Sequence, residues 1–159
     1  MAAASIQNVG ACVFDAYGTI FDFNAATASC RDALGDQAAP LSAAWRDKQL
    51  QYTWLRSLMG QHADFWQVTG EALDYAMDSI GLDDAALRDR LLNCYLELEA
   101  FEEVPETLAR LKSGGLKTAI LSNGSPDMLA AAVKGAGIGD LLDAVLSVEE
   151  VGVFKTDPK

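Results

Sequence analysis

A short apolar run that ends in an aspartate constrains the fold of this chain more than any other feature. Residues Val9–Phe14 read VGACVF, and Asp15 follows them directly. A short and nearly continuous apolar run is typical of a parallel strand that is covered on both faces. The sequence therefore predicts that Asp15 lies at the carboxyl end of a buried strand, where α/β proteins bind their ligands.

Two later runs, Leu116–Asn123 and Ala144–Val148, also predict strands, and a helical pattern precedes each of them. The first of these helices, Pro105–Gly115, starts on proline and stops at paired glycines. In the second helix, Ser125 suits the N-cap and Pro126 the first helical position. Alternating strands and helices indicate an α/β fold with a doubly wound parallel sheet, Rossmann-like in its arrangement.

The stretch between the first strand and the rest of the sheet contains no strand signal. Helical patterns cover Ala43–Met59, Ala63–Gly81 and Asp83–Ala100. An insertion of about 75 residues is far too long for a connecting loop. We therefore expect residues 23–100 to form a helical cap over the strand ends, and residues 1–22 and 101–159 to form the α/β core.

Composition narrows the class of protein. The chain has 159 residues with 50% hydrophobic content and a net charge of −11, and its basic residues are scattered, which disfavours nucleic-acid binding. No apolar run suits a membrane helix, and the amino terminus MAAASIQNVG lacks the features of a signal peptide. An odd number of cysteines without metal spacing favours reduced thiols in a cytoplasmic protein. No residue cluster has the spacing of a metal site, and the single histidine, His62, is expected to be structural or exposed.

The turn after the first strand predicts a nucleophile. Gly18 permits a tight backbone, and Thr19 can hydrogen-bond a carboxylate oxygen of Asp15. The second strand also ends in polar residues, Ser122 and Asn123, which together with backbone N–H groups at the following helix could bind an anion. The alternative is that Asp15, Ser122 and Asn123 are ordinary turn residues. The sequence around any one of these residues, taken by itself, does not decide between the two interpretations.

Two cations are candidates to offset the charge of an anionic substrate beside Asp15. Lys155 follows the third strand closely enough to reach the same crevice. Arg46 lies in WRDKQLQYTWLRSLM, which is dense in aromatic and cationic residues. The alternative for Arg46 is a solvated position on a helix whose aromatic residues pack, and by composition alone this alternative is the stronger one.

Together these segments resemble the L-2-haloacid dehalogenases of the haloacid dehalogenase superfamily. The resemblance runs from about Val9 to Pro158 and is carried by FDAYGT, WRDKQLQYTWLRSLM, ADFW, AILSNGSPDML and VFK. FDxxGT alone marks only the superfamily. The WR-x-KQL-x-Y-x-W block, LSNG, and Tyr17 in the position of the superfamily's acid are more specific.

The resemblance implies a role for each matching residue. Asp15 attacks the carbon that bears the halogen, Thr19 and Lys155 orient and neutralise Asp15, and Ser122 with nearby backbone amides, including Ala16, holds the substrate carboxylate. Arg46 and Asn123 receive the halide. The remaining residues line the alkyl and halide pocket: Tyr17, Leu50 and Phe65. The expected product is an (R)-2-hydroxyalkanoic acid from an (S)-2-haloalkanoic acid, with a homodimer formed through the cap helices.

The residue at position 17 distinguishes the expected reaction from phosphate transfer. A phosphatase of this superfamily uses an acid there to protonate the leaving oxygen, whereas a halide leaves as a weak base and needs no proton. Displacement at carbon also builds no polyanionic phosphoryl transition state, so we expect no metal and no other cofactor.

Two departures from the family are visible. Thr156 stands where family members usually have proline after the lysine. Family chains also continue for about another 70 residues, which complete the sheet and supply the aspartate that activates water. We therefore expect a sheet that is incomplete at its carboxyl end and a 159-residue chain that is inactive in turnover by itself. A superfamily phosphatase and an inactive binding or oligomerisation module remain the alternatives.

Overall fold

The computed structural model describes residues 7–159, so most of the amino-terminal segment MAAASIQNVG, with its lack of signal-peptide features, lies outside the described residues. Within this range the chain forms a three-stranded parallel sheet. The strands, in spatial order, are β1 (Ala11–Phe14), β2 (Lys117–Ser122) and β3 (Ala144–Ser147). The predicted α/β class with a parallel sheet is confirmed. β1 starts two residues later than predicted, because the ladder begins where the Lys117 N–H donates to the Gly10 carbonyl at 3.1 Å.

A run of helices separates β1 from β2 in the described part of the chain. These helices are α1 (Ala25–Ser29), α2 (Arg31–Leu34), α3 (Ala38–Met59), α4 (Phe65–Ser79) and α5 (Ala85–Leu96). α3 begins five residues before the predicted Ala43, since Pro40 falls in its first turn, where a missing N–H is tolerated. Gly60 ends α3 in the left-handed region at φ 64°, and the Asp64 and Asp84 side chains cap α4 and α5. None of the helices in residues 7–159 has the length and apolarity that crossing a membrane requires.

Two helices flank the second strand. α6 (Val104–Ser113) leads into β2, and α7 (Pro126–Gly135) joins β2 to β3. The Ser125 hydroxyl accepts a hydrogen bond from the Met128 N–H at 3.4 Å, so the predicted N-cap is confirmed. Because parallel crossovers are right-handed and the strand order is sequential, both helices lie on the same face of the sheet.

The other face of the sheet is open among the described residues. Val13 is 58% exposed, Leu121 39% and Leu146 44%, although all three are strand residues. The expectation that β1 is covered on both faces is therefore wrong for residues 7–159. The cause is topological, since the helices before β2 and β3 share one face and the inserted helices lie beyond the ends of the strands.

The inserted helices leave and rejoin the sheet region at one place. The Asp22 N–H donates to the Glu99 carbonyl at 3.0 Å, and the Phe101 N–H donates to the Ile20 carbonyl at 3.0 Å. A buried apolar cluster runs from the sheet through this crossing into the helices, with Phe21 among its fully buried members. The helical segment is thus held against the carboxyl ends of the strands, where Asp15 lies.

Candidate active site

A tight turn directly after β1 presents the Asp15 carboxylate. The carbonyl of Ala16 accepts hydrogen bonds from the Ile20 and Phe21 N–H groups at 2.8 and 3.0 Å. Gly18 completes the turn at φ 90°, a conformation that favours glycine. Because the backbone is fixed on both sides of it, the Asp15 side chain, 42% exposed, projects from a rigid position at the strand end.

Lys155 bridges the ends of β1 and β2. Its Nζ lies 2.6 Å from Asp15 Oδ1 and 2.8 Å from the Leu121 carbonyl oxygen. Its backbone N–H donates to Asn123 Oδ1 at 2.8 Å, so the Asn123 side chain fixes the loop that carries the lysine. A charge-assisted hydrogen bond of this length holds the ammonium group against the carboxylate.

The end of β2 is buried and internally bonded. Ser122, 1% exposed, accepts a hydrogen bond from the Gly124 N–H at 3.1 Å, and the Gly124 carbonyl accepts one from Ser147 Oγ at 2.6 Å. A Cβ at Gly124 would lie 2.9 Å from Tyr17 Cε2. The glycine of the LSNG motif therefore lets the Tyr17 ring pack directly against the β2 turn.

Tyr17 lies in an aromatic cluster. It is 3% exposed, and its ring centroid is 5.7 Å from that of Phe65 and 5.4 Å from that of Tyr95. Its hydroxyl is a buried side-chain group without a hydrogen-bond partner within the described range. Burial raises the pKa of Tyr17 far above its ordinary value; Tyr95 and Asp15 add to the rise and Arg46 opposes it. The side chain is therefore a neutral phenol at physiological pH and cannot replace a carboxylic acid as a proton donor.

Arg46 of α3 reaches across to the turn after β1. Its Nη2 donates to the Tyr17 carbonyl at 2.9 Å and its Nη1 to Gln49 Oε1 at 2.9 Å. The guanidinium carbon also lies 5.0 Å from the centroid of the Phe23 ring. Leu50, half-buried, follows one helical turn after Arg46. Arg46 therefore belongs to the strand-end region and is not simply solvated.

The structure brings some of the predicted site residues into contact and leaves others apart. Asp15 and Lys155 are in contact, and Arg46 bonds the backbone of Tyr17. Thr19 is exposed, and within residues 7–159 no hydrogen bond joins its hydroxyl to Asp15; its N–H donates to the Ala16 carbonyl at 3.2 Å. No group of three or more potential metal-binding side chains is present in the same range.

Sequence reasoning missed a polar group beneath Arg46. Gln49 is 1% exposed and bonds both Thr69 and Tyr95. A signal was available, since Trp45, Gln49 and Thr53 recur every four residues and share one helix face. A glutamine on an apolar stripe calls for hydrogen-bond partners inside the protein.

His62 is exposed and contacts Glu149, which fits the expectation that it is structural or exposed. Its Nε2 lies 3.0 Å from Glu149 Oε2, and its ring centroid is 4.8 Å from that of Phe154. The other Glu149 oxygen accepts a hydrogen bond from the Phe65 N–H at 3.0 Å. These contacts join the start of α4 to the loop between β3 and Lys155.

Comparison with known proteins places these features in a family. A family model described as haloacid dehalogenase-like hydrolase matches residues 9–159. The chain is 47% identical over 152 residues to (S)-2-haloacid dehalogenase 1 of Pseudomonas sp. (strain CBS-3), covering 95% of this chain and 67% of that protein. It thus spans about two thirds of that relative's length.

Solved structures give the same result. A crystal structure of a dehalogenase superposes with a TM-score of 0.94 at 46% identity, covering 97% of this chain and 69% of the other. The L-2-haloacid dehalogenase from Xanthobacter autotrophicus was solved with chloropropionic acid covalently bound. It superposes with a TM-score of 0.84 at 43% identity, and the match covers 92% of this chain and 60% of that one. The chain therefore belongs to the haloacid dehalogenase-like hydrolases and, within them, to the family of the L-2-haloacid dehalogenases.

Proposed function

We propose that the protein carrying this chain hydrolyses short (S)-2-haloalkanoic acids to (R)-2-hydroxyalkanoic acids and halide. The observation that carries the proposal is the Asp15–Lys155 contact, with Nζ 2.6 Å from Oδ1 at the strand end, next to a neutral Tyr17. A carboxylate held by a cation, without an acid two residues later, suits displacement of a good leaving group. The similarity to (S)-2-haloacid dehalogenase 1 and to a dehalogenase of solved structure supports the same reaction.

The reaction has two steps. In the first, a carboxylate oxygen of Asp15 attacks the carbon that bears the halogen, a C–O bond forms, the C–halogen bond breaks, and the halide leaves with its electron pair. In the second, water attacks the Asp15 carbonyl carbon of the ester and the bond from that carbon to the ester oxygen breaks. One proton of the water passes to the departing oxygen and the other to solvent, which releases the hydroxy acid and restores the carboxylate. Only the first step occurs at the chiral carbon, so the configuration inverts once.

We assign to the neighbouring residues the roles that the resemblance to the L-2-haloacid dehalogenases implies. Lys155 neutralises Asp15 as the substrate carboxylate approaches, and Ser122 with the backbone amides of Ala16 and the β2 turn holds that carboxylate. Arg46 and Asn123 take up the departing halide. The apolar wall comes from Tyr17, Leu50 and Phe65, and Thr19 orients Asp15 once the substrate is bound. We assign residues 23–100 as a cap that closes over these groups and excludes water during displacement.

Chelation separates this reaction from phosphate transfer. We expect activity on (S)-2-chloropropionate to survive EDTA without loss, because a halide leaves without a proton or a Lewis acid. Chloride release and the configuration of the product lactate are measured by ion chromatography and chiral chromatography. Hydrolysis of p-nitrophenyl phosphate, or activity that EDTA removes and Mg²⁺ restores, would support a phosphatase instead.

We also propose that the cap helices pair two copies of the chain. α3 carries a stripe of exposed apolar residues: Trp54 (49%), Leu55 (51%), Leu58 (84%) and Met59 (59%). Spacings of three and four residues place them on one side of the helix, and a contiguous exposed apolar patch of this kind marks an interaction surface. The free cysteines fit a cytoplasmic location for the assembly.

Charge placed in this stripe is expected to separate the two copies. Leu58→Asp buries an unpaired carboxylate in a paired interface, so the mass by light scattering should fall from two chains to one. Ala130→Asp adds the same charge at an exposed position of α7 and should leave the mass unchanged. A Leu58→Asp variant that keeps the mass of two chains would show that α3 is not the contact.

A further inference from the structure

Gln49 occupies a buried position directly beneath Arg46. The glutamine is 1% exposed, and its Oε1 accepts a hydrogen bond from Arg46 Nη1 at 2.9 Å. On the other side of the amide, its Nε2 donates to Thr69 Oγ1 at 2.8 Å. The amide thus connects the guanidinium on α3 to a hydroxyl on α4.

Thr69 determines which way the Gln49 amide points. The Thr69 hydroxyl donates its hydrogen to the Phe65 carbonyl oxygen at 2.7 Å, so it can only accept from Gln49. An accepting hydroxyl requires the amide nitrogen on that side. The amide oxygen must then face Arg46, which has only donors to offer. The reverse orientation would place N–H groups against the guanidinium and leave the Thr69 lone pairs facing an oxygen.

Two aromatic residues, Tyr95 and Trp45, also contact Gln49 and Thr69 respectively. The Tyr95 hydroxyl lies 3.1 Å from Gln49 Nε2 and 3.2 Å from Gln49 Oε1, and Trp45 Nε1 donates to the Thr69 carbonyl at 2.9 Å. A crevice of only about 10 Å³ remains among the side chains around Arg46 and Gln49. That space holds one water molecule at most, and the distance of 2.9 Å makes the contact between Arg46 and Gln49 a direct one.

We propose that Gln49 is a positioning residue that aims the Arg46 guanidinium at the departing halide, with Thr69 fixing the direction of its amide. The inference rests on the proposed dehalogenation. One guanidinium N–H group is held by Gln49 and another by the Tyr17 carbonyl, which fixes the plane of the group between the cap helices and the strand-end turn. The remaining N–H groups then point in a constant direction, which a flexible arginine would not provide.

The test compares substrates that differ only in the leaving group. Gln49→Met keeps the volume and removes the acceptor, so kcat for (S)-2-chloropropionate should fall about 10- to 30-fold with KM nearly unchanged. Chloride is the poorer leaving group and depends more on Arg46. The bromide-to-chloride ratio, that is kcat for (S)-2-bromopropionate divided by kcat for (S)-2-chloropropionate, should therefore rise about threefold or more. Thr69→Val, nearly the same shape, lets the amide reverse and should change the ratio in the same direction.

A matched control and a double variant separate positioning from general damage. Thr53→Val removes a hydroxyl that is equally buried on α3 and that donates to the Leu50 carbonyl at 2.7 Å, with no bond to Arg46 or Gln49 among residues 7–159. It should leave the bromide-to-chloride ratio unchanged. Arg46→Lys alone should raise the ratio, and adding Gln49→Met to it should cost little more, because both changes act through one group. Circular dichroism and the thermal midpoint identify any variant that fails to fold.

The outcomes distinguish this inference from the proposed function. If the unmodified protein releases halide and Arg46→Lys raises the ratio while folded Gln49→Met and Thr69→Val do not, the positioning role is overturned and dehalogenation stands. Equal losses for both substrates would also overturn it, since they indicate structural damage alone. If the unmodified protein releases no halide from either substrate, the proposed function fails and the inference fails with it.

Discussion

Asp15→Asn should reduce halide release to the uncatalysed background in the protein that carries this chain. A carboxamide is a far weaker nucleophile than a carboxylate and cannot form the same ester. We expect a loss of about 10⁴-fold or more, because every productive encounter passes through that bond. Halide release from (S)-2-chloropropionate under saturating substrate measures the effect.

The fold should survive this substitution. Asp15 and asparagine have nearly the same shape, the side chain is 42% exposed, and the turn around it is held by backbone hydrogen bonds to the Ala16 carbonyl. Asp22→Asn is a suitable control, since Asp22 lies seven residues later on the same segment and its Oδ1 accepts from the Asn24 N–H at 3.0 Å. Asp22 is half-buried and its Oδ1 accepts from the neighbouring Asn24, so activity should stay within a factor of about two.

Isotope placement tests the covalent step directly. In a single turnover in ¹⁸O-water, the hydrolytic oxygen enters the Asp15 carboxylate and the product receives an unlabelled oxygen from the protein. Mass spectrometry of the Asp15 peptide and of the hydroxy acid distinguishes the two positions. Label that appears in the first-turnover product would mean that water attacks the substrate carbon, and the ester mechanism would be wrong.

The sequence predicted well those features that depend on short segments. The strand ends at Asp15 and Ser122 follow from apolar runs, and the N-cap at Ser125 follows from a serine–proline pair. To predict that Lys155 lies near Asp15, one further rule is required, namely that the carboxyl ends of parallel strands share one edge of a sheet. Each of these inferences uses residues that are close in sequence or a rule that fixes where strands meet.

Features that depend on particular side-chain partners far apart in the sequence, and on no general rule of strand placement, could not be predicted. Gln49 meets Thr69 and Tyr95, which lie 20 and 46 residues away, and the direction of its amide depends on a hydroxyl that is already bonded within α4. The exposure of Val13 depends on which face the crossover helices cover. The exposed position of Thr19 depends on the detailed turn around Gly18. In each case several side chains or elements must be in place before the outcome is determined.

Lys155→Met should be the second most damaging substitution, with a loss of about a thousandfold in kcat/KM. The Asp15 carboxylate and the substrate carboxylate carry like charges, and at 4 Å they repel by about 4 kcal/mol at an effective dielectric of 20. Lys155 offsets that repulsion, because its Nζ is 2.6 Å from Asp15 Oδ1. Methionine keeps the length and the apolar stem of the side chain but removes the charge and both hydrogen bonds. Steady-state kinetics with (S)-2-chloropropionate over a range of ionic strength measures the loss.

A lysine–aspartate pair at the other end of β2 supplies the matched control. Lys117 Nζ lies 3.1 Å from Asp143 Oδ1, and the Lys117 side chain is 73% exposed. Lys117→Met removes the same charge from an exposed lysine, and an ion pair at an exposed lysine contributes little, so activity should stay within about twofold. Added salt should partly relieve the Lys155→Met defect, since it screens the repulsion between the carboxylates, and should not relieve that of Asp15→Asn. A Lys155→Met variant within about threefold of normal kcat/KM would contradict the proposed role, because another cation would then have to neutralise Asp15.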